Sequence, residues 1–414
     1  MTDSGRVVVA GAGLAGLRTV EELRGHGFTG PIVLLGAEER TPYDRPPLSK
    51  KVLTEPPESV PDPSLRADFD ALFVDFRAGE AVTGLDAAGH QVRTEQGAYA
   101  YDQLVLATGA LPIALPGPGV QRFLRTYDDA LALRSAFRPG LRLAIVGAGW
   151  IGAELATAAA GHGCKVTVVE AASTPVAAAL GERLGGRTAR WYAEAGVELL
   201  TGVAVESVEE GGLALTGGAW LAADLVVTAV GVRPAVAWLA GAGLSLENGV
   251  AVDAGLRASL PGVFAVGDCA AFWSERFGRR LRFEHWDVAL HAPEVAAANV
   301  LGGDEVYDPV PYFWSEQFGR MVQYTGYHGD AAEMVWRGDP DNDAKWAACW
   351  LSADRHLVAI ATVDRPRDLV QARRAITGGA VVDPVRLADP GVMVKDAVLA
   401  GLFDRTPKRR ETGH

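Results

Sequence analysis

Twice in this chain an apolar strand runs into a glycine-rich turn of the form GxGxxG and then into a helix. The glycines are Gly11, Gly13 and Gly16 near the start, and Gly147, Gly149 and Gly152 a third of the way along. No other feature restricts the fold as much. The first glycine permits a tight turn, the second leaves bare backbone for a pyrophosphate, and the third lets helix and strand pack closely. The phosphates then rest on the helix N-terminus, where unpaired N–H groups and the helix dipole favour anions. One copy predicts one dinucleotide, so two copies predict two.

Each copy ends on an acid. The first, RVVVAGAGLAGLRTVEELRGHGFTGPIVLLGAEE, reaches Glu38, and the second, LRLAIVGAGWIGAELATAAAGHGCKVTVVEAA, reaches Glu170. Both lie roughly 20 residues past the last glycine, as the fingerprint requires. A carboxylate there accepts hydrogen bonds from a ribose with a free 2′-hydroxyl and repels a 2′-phosphate. Glu170 is followed by Ala171, Ala172, Ser173 and Thr174, with no Arg or Lys to receive a phosphate. This favours NADH over NADPH. A lone GxGxxG among 49 glycines would be weak evidence; two copies, each with strand, helix and acid in place, are not.

The 414 residues suffice for about three domains. No run approaches the ~20 apolar residues of a membrane span, and the start MTDSGR leads straight into a strand without a signal-peptide pattern. A cytoplasmic location is expected. Cys164, Cys269 and Cys349 form no CxxC and no His pair has metal-ligand spacing, so neither a dithiol centre nor a metal is expected. A formal net charge of −12 argues against nucleic acid and anionic membranes as partners.

Between the fingerprints, short strands end in YDQLVLATGA, with Ala107, Thr108 and Gly109 at the turn. After the second copy the design recurs, ending in ADLVVTAVGVRP with Gly231, Arg233 and Pro234. This whole-domain repeat predicts doubly wound α/β architecture. LPGVFAVGDCAAFW then brings Gly267 and Asp268 to a helix start, where the carboxylate suits either a helix cap or a polyol hydroxyl. From about residue 315 the pattern shifts to short strands and one helical stretch, which predicts a C-terminal α+β domain.

From TPYDRPPLSK, residues 41–50, onward, the chain resembles the FAD-dependent, NADH-using reductases of [2Fe-2S] ferredoxins that serve cytochrome P450 and ring-hydroxylating oxygenase systems. The resemblance rests on the two fingerprints, YDRPPLSK, ATG at 107–109, GWIGAE at 149–154, GVRP at 231–234, VGDCA at 266–270, EHWDVA at 284–289 and VPYFWSEQ at 310–317. It implies two Rossmann-like domains of glutathione-reductase type plus the C-terminal domain. The expected bounds are 1–113 with 244–315 for FAD, 114–243 for NAD, and 316–414 for the α+β domain.

Carried over residue by residue, the resemblance puts FAD on Gly11, Gly13, Ala15 and Gly16, with Glu38 at its adenosine ribose, Arg45 at its pyrophosphate and Asp268 at its ribityl chain. Ala107, Thr108, Gly109, Gly267, Glu284, His285 and Trp286 complete that site. NADH falls to Gly147, Gly149, Trp150, Ile151, Gly152, Glu154, Glu170 and Gly231. Lys50, paired with Glu154, is implied beside the isoalloxazine, and Trp314 next to the flavin ring. By themselves Lys50 would read as a solvated loop lysine and Trp314 as core. These residues would act by positioning and by fixed charge, since hydride transfer to a flavin builds negative charge on the ring and leaves a nicotinamide cation nearby.

The implied partner is an acidic [2Fe-2S] ferredoxin, docked transiently by a monomer or weak dimer. Because this chain is itself acidic and screening acts over about 8 Å at physiological salt, local basic groups would decide the docking. Arg66, Arg279, Arg280, Arg282 and the tail Lys408, Arg409, Arg410 are candidates. Two features depart from the family: Ala235 follows GVRP where Asn is frequent, and EHWDVALHAPEV resembles the branch of apoptosis-inducing factor. They leave the acceptor open, so an NADH oxidase or a redox-sensing FAD/NADH-binding protein stands as the alternative.

Overall fold

The structure, a computed structural model, describes residues 5–399. The chain divides into two units, one containing the described residues up to 173 with 193–309, the other 174–192 with those from 310 onward.

The first unit is built on two parallel sheets. Strands Val263–Ala265, Gln103–Leu106, Val7–Ala10, Ile32–Leu35 and Val74–Arg77 lie side by side in that order, every neighbouring pair parallel. The second sheet has the order Glu198–Thr201, Lys165–Glu170, Arg142–Val146 and Leu225–Thr228, again all parallel. Parallel strands covered on both faces read as continuous apolar runs, not alternations. VVVA and IVLL are accordingly buried at every position.

In both sheets the fingerprint strand is interior, and its glycine turn leads into a helix, Leu14–Gly25 in one and Trp150–Gly161 in the other. Helix Leu14–Gly25 packs along helix Trp286–Val300. Two antiparallel meanders stand beside the parallel sheets: Val82–Asp86 through Ala98–Ala100, and Val205–Glu209 through Ala219–Ala222. A short antiparallel pair, Ala110–Pro112 with Val232–Pro234, joins the ends of the two nucleotide motifs.

The second unit has the antiparallel sheet expected of an α+β domain. Its strand order is Tyr312–Gln317, Arg320–Gly326, Leu357–Val363, Trp346–Leu351, Glu333–Arg337. Helix Pro366–Thr377 lays Leu369, Ala372, Ala375 and Ile376 on Ala347, Cys349, Leu351 and Ile360. Most of helix Glu182–Glu194 packs in this unit: Trp191 meets Trp346 at 6.4 Å between ring centroids, and Arg187 pairs with Asp341 at 2.6 Å.

Candidate functional site

At the first fingerprint the chain leaves strand Val7–Ala10 through Gly11 with φ +117°, a conformation that L side chains rarely adopt. A Cβ on Gly11 would collide with the Ala107 carbonyl of the ATG turn, and one on Gly16 with the Gly11 carbonyl. Gly13 caps helix Leu14–Gly25 without any side-chain bond to its N–H groups. A Cβ there would meet nothing within 4 Å. The open cradle over unpaired N–H groups is the room a pyrophosphate needs.

The second fingerprint repeats this. Gly147 has φ +100° and its Cβ would lie 2.5 Å from the Ala229 carbonyl oxygen, while Gly152 would strike Gly147. Gly149 caps helix Trp150–Gly161 with no side-chain bond and open space before it. Ile151, in the first turn, is exposed beside Trp150.

The two acids are held differently. Glu38 accepts from the Tyr43 hydroxyl at 2.6 Å and from Arg45 at 3.0 Å. Glu170 accepts from backbone, Ala148 N–H at 2.7 Å and Ala172 N–H at 2.8 Å. Ala148 lies inside the glycine turn, so Glu170 is aimed along that loop. Tyr43, its phenol pushed up to about 12 by burial, stays a neutral donor. Arg45 also donates to the Arg125 carbonyl and stacks 5.3 Å over Tyr43.

Gly267 returns to the first fingerprint: its added Cβ would sit 3.0 Å from Ala15. Asp268 beside it accepts from Arg125 at 2.9 Å. Gly109, at φ +69°, faces the same guanidinium. Thr108 donates to the Ala235 carbonyl at 2.8 Å, and Ala235 N–H donates to Gly109 at 2.9 Å. Ala235 thus serves through backbone. Gly231 receives the Ile113 N–H at 3.0 Å.

In the EHW segment, burial raises the Glu284 carboxyl, although Arg282 pairs with it at 2.8 Å. Burial lowers His285 to about 4, so its imidazole is neutral at physiological pH. Trp286 donates to Asp44 at 2.6 Å, which ties this segment to the YDRPPLSK loop.

That loop brings the two fingerprints together. Lys50 Nζ lies 2.9 Å from Glu154 Oε2, with the lysine side chain 15% exposed and the carboxylate 4%. Glu154 sits on the helix that Gly149 opens. Burying a carboxylate without a partner is costly, and Lys50 is the ion-pair partner of this one. The segment just after Lys50 is held by Arg134, which donates to the Val52 and Glu55 carbonyls, and by the His162 ring, which bonds the Leu53 carbonyl.

Sequence reasoning missed Tyr43, Ser49, Arg125, Arg134 and His162. Of these, Arg125 carried a local signal. It directly precedes a capping box in which Thr126 accepts from Asp129 N–H and Asp129 accepts from Thr126 N–H. Trp314 stands in the second unit, stacked 5.9 Å from Tyr312.

The docking candidates fare unevenly. Arg282 is only 10% exposed and is spent on Glu284 and the Asp268 carbonyl. Arg280 is tied to Glu247 and to the Val252 and Ala271 carbonyls. Arg66 is a loop residue at φ +51°, and Lys408, Arg409 and Arg410 lie outside the described residues. Cys269 is fully buried, donates to the Leu106 and Val266 carbonyls, and has its thiol pushed up by burial. It stays protonated and unreactive. Among the described residues no helix is long and apolar enough to cross a membrane.

The model of the pyridine nucleotide-disulphide oxidoreductase family matches residues 5–292, and that of the reductase C-terminal family matches residues 312–398. The ferredoxin–NAD(+) reductase component of the anthranilate 1,2-dioxygenase system of Burkholderia cepacia is 38% identical over 94% of this chain and 98% of its own. The ferredoxin reductase for the CYP199A2 system of Rhodopseudomonas palustris matches with TM-score 0.88 at 32% identity, over 95% of this chain and 100% of that one. The reductase of the covalent putidaredoxin reductase–putidaredoxin complex matches with TM-score 0.87 at 30% identity, over 93% and 96%.

Proposed function

Because the chain belongs to the pyridine nucleotide-disulphide oxidoreductase family, we propose that it is a flavoprotein reductase that takes electrons from NADH through FAD. It delivers them to a [2Fe-2S] ferredoxin serving a ring-hydroxylating oxygenase or a cytochrome P450. The observation that carries this reading is the ion pair Lys50–Glu154, which joins the loop after the first fingerprint to the helix of the second. Two of the relatives, a ferredoxin reductase component of a dioxygenase system and a ferredoxin reductase for the CYP199A2 system, support the acceptor.

FAD held there would supply the adapter chemistry between a two-electron hydride donor and a one-electron acceptor. The balance is one NADH and two oxidised ferredoxins giving NAD+, one proton and two reduced ferredoxins. The chain's own work is to bind and aim. Gly13 and Gly149 present helix N–H groups to the two pyrophosphates, Glu38 and Glu170 accept from the adenosine riboses, and the donors of Arg45 not spent on Glu38 and Arg125 serve the flavin pyrophosphate. Asp268, oriented by Arg125, accepts from the ribityl chain. Lys50, paired with Glu154, offers a positive charge beside the ring. Trp314 is assigned to the ring on the family resemblance alone.

The same reading divides the chain into an FAD domain at 1–113 and 244–315, an NAD domain at 114–243 and a C-terminal domain at 316–414. It has the protein act in the cytoplasm as a monomer or weak dimer.

The test is to reduce the yellow protein anaerobically with NADH and then offer oxygen alone, or a [2Fe-2S] ferredoxin with cytochrome c as reporter. Rapid cytochrome reduction that requires ferredoxin is the expected result. Rapid reoxidation by oxygen without ferredoxin would make the protein an oxidase. The buried, protonated Cys269 speaks against that outcome.

A second expectation concerns the nucleotide. Glu170→Ala removes the acceptor of the ribose hydroxyl and the repulsion of a 2′-phosphate, so preference for NADH over NADPH, read as the ratio of kcat/KM values, falls about tenfold or more, the worth of one hydrogen bond to a charged group. An unchanged ratio takes Glu170 out of the ribose site.

A further inference from the structure

Lys50 and Glu154 do not form an isolated pair. The hydroxyl of Ser49, itself only 5% exposed, donates to Glu154 Oε2, the same oxygen that Lys50 Nζ reaches at 2.9 Å. Lys50 Nζ is also 3.4 Å from Ser49 Oγ and 3.5 Å from the Pro46 carbonyl oxygen. The three groups close a triangle on one carboxylate oxygen. Adjacent residues in extended chain point to opposite sides. Ser49 and Lys50 converge because Ser49 ends the 3-10 turn Pro46–Ser49 and Lys50 caps it, where the chain changes direction.

We propose that Ser49 is a positioning residue for hydride delivery, holding the Glu154 carboxylate so that the Lys50 ammonium keeps its aim. This rests on the reading of Lys50 and Glu154 given above. A serine hydroxyl has one proton, and here it is committed to Glu154. By sharing Oε2, Ser49 withdraws part of that oxygen's negative charge from Lys50, and more of the ammonium's field is left for the ring. The bond also fixes the carboxylate's rotation, which a lysine on a flexible stem does not do. Since it spans 105 residues, from the YDRPPLSK loop to the NAD-fingerprint helix, it also fixes the register of one nucleotide motif on the other.

The experiment compares Ser49→Ala and Ser49→Thr with the unaltered holoprotein, in the Glu154 and the Glu154→Gln backgrounds. Stopped-flow reduction of bound flavin by NADH, the midpoint potential of that flavin and its retention are measured. Ser49→Ala is expected to slow flavin reduction about tenfold, within the penalty for a small misplacement of catalytic geometry. The NADH concentration at half-maximal rate should stay within about twofold, as for a group acting on the transition state and not on binding. The potential should move negative, and Ser49→Thr, which keeps the hydroxyl, should restore both rate and potential.

In the Glu154→Gln background, Ser49→Ala should cost nothing further, because both act through one carboxylate. A wild-type rate and potential in Ser49→Ala would reduce Ser49 to filler and overturn the proposal. So would a full second loss on top of Glu154→Gln. All of these readouts stop at the flavin, so failure of ferredoxin reduction would overturn the proposed function while leaving the role of Ser49 to be decided on its own.

Discussion

A Gly147→Val protein is expected to purify yellow, with its full complement of flavin, and to be almost inert toward NADH. Gly147 sits at φ +100° and a Cβ there would lie 2.5 Å from the Ala229 carbonyl oxygen. Two obstacles therefore act together. The positive φ costs a β-branched residue about 1–3 kcal/mol, and the clash is with backbone, which cannot swing away. The turn must move, and with it Gly149 and the first N–H groups of helix Trp150–Gly161, which the proposed function assigns to the pyrophosphate. A misplacement of about 1 Å costs on the order of 10²-fold in rate. Dithionite should still reduce the flavin at the normal rate, which separates a lost donor site from a damaged flavin. The mirror variant Gly11→Val, at φ +117° against the Ala107 carbonyl, should lose the flavin instead. Bleaching by NADH at an unaltered rate in Gly147→Val would refute the assignment of the second fingerprint.

The two motifs were legible in sequence because a glycine's role is local. A tight turn, an open cap and a close approach are each dictated by one residue and its neighbours, so spacing alone reports them. The parallel sheets were legible for a similar reason, as runs such as VVVA and IVLL have no polar face to expose. Ser49, Tyr43 and Arg125 were not legible as partners. Ser49 finds Glu154 across 105 positions and Arg125 finds Asp268 across 143. A hydroxyl or guanidinium carries no periodicity that names its distant acceptor. Lys50 and Glu154 entered through family resemblance, and the structure adds the distance and burial that make the pair physically demanding. The docking arginines show a different limit of sequence reading. Arg280 and Arg282 read as surface charge because Arg is ordinarily exposed, yet Arg282 is only 10% exposed and pairs with Glu284, and the partly exposed Arg280 also donates to the Val252 and Ala271 carbonyls.

Helix Glu182–Glu194 makes the same point in the C-terminal unit. An amphipathic pattern says which face is apolar but not what covers it, and Trp191 is covered by Trp346, about 155 residues on. That unit also holds a buried ion cluster that the sequence reading did not show. Arg337, 1% exposed on an edge strand, meets Asp368 with Nε at 2.8 Å and Nη2 at 3.2 Å. It further donates to the Leu387 carbonyl at 3.0 Å and the Asp389 and Val392 carbonyls at 2.6 Å. One guanidinium thereby pins helix Pro366–Thr377 and the segment after Pro384–Ala388 to the sheet.

Arg337→Ala would leave Asp368 with Arg365 as its charged partner and three carbonyls without this donor. Removing one partner of a buried pair costs about 3–5 kcal/mol, a large share of a domain's total stability. The expected result is early unfolding of the C-terminal unit in urea, followed by tryptophan fluorescence, since Trp336, Trp346 and Trp350 all lie there. Flavin release should come later, at a higher denaturant concentration. Arg337→Lys keeps a charge but lacks the planar fork that serves Asp368 and the carbonyls at once, and should fall between the two. If Arg337→Ala unfolds with the midpoint of the unaltered protein, water has replaced the guanidinium on those carbonyls and the cluster does not hold the unit together.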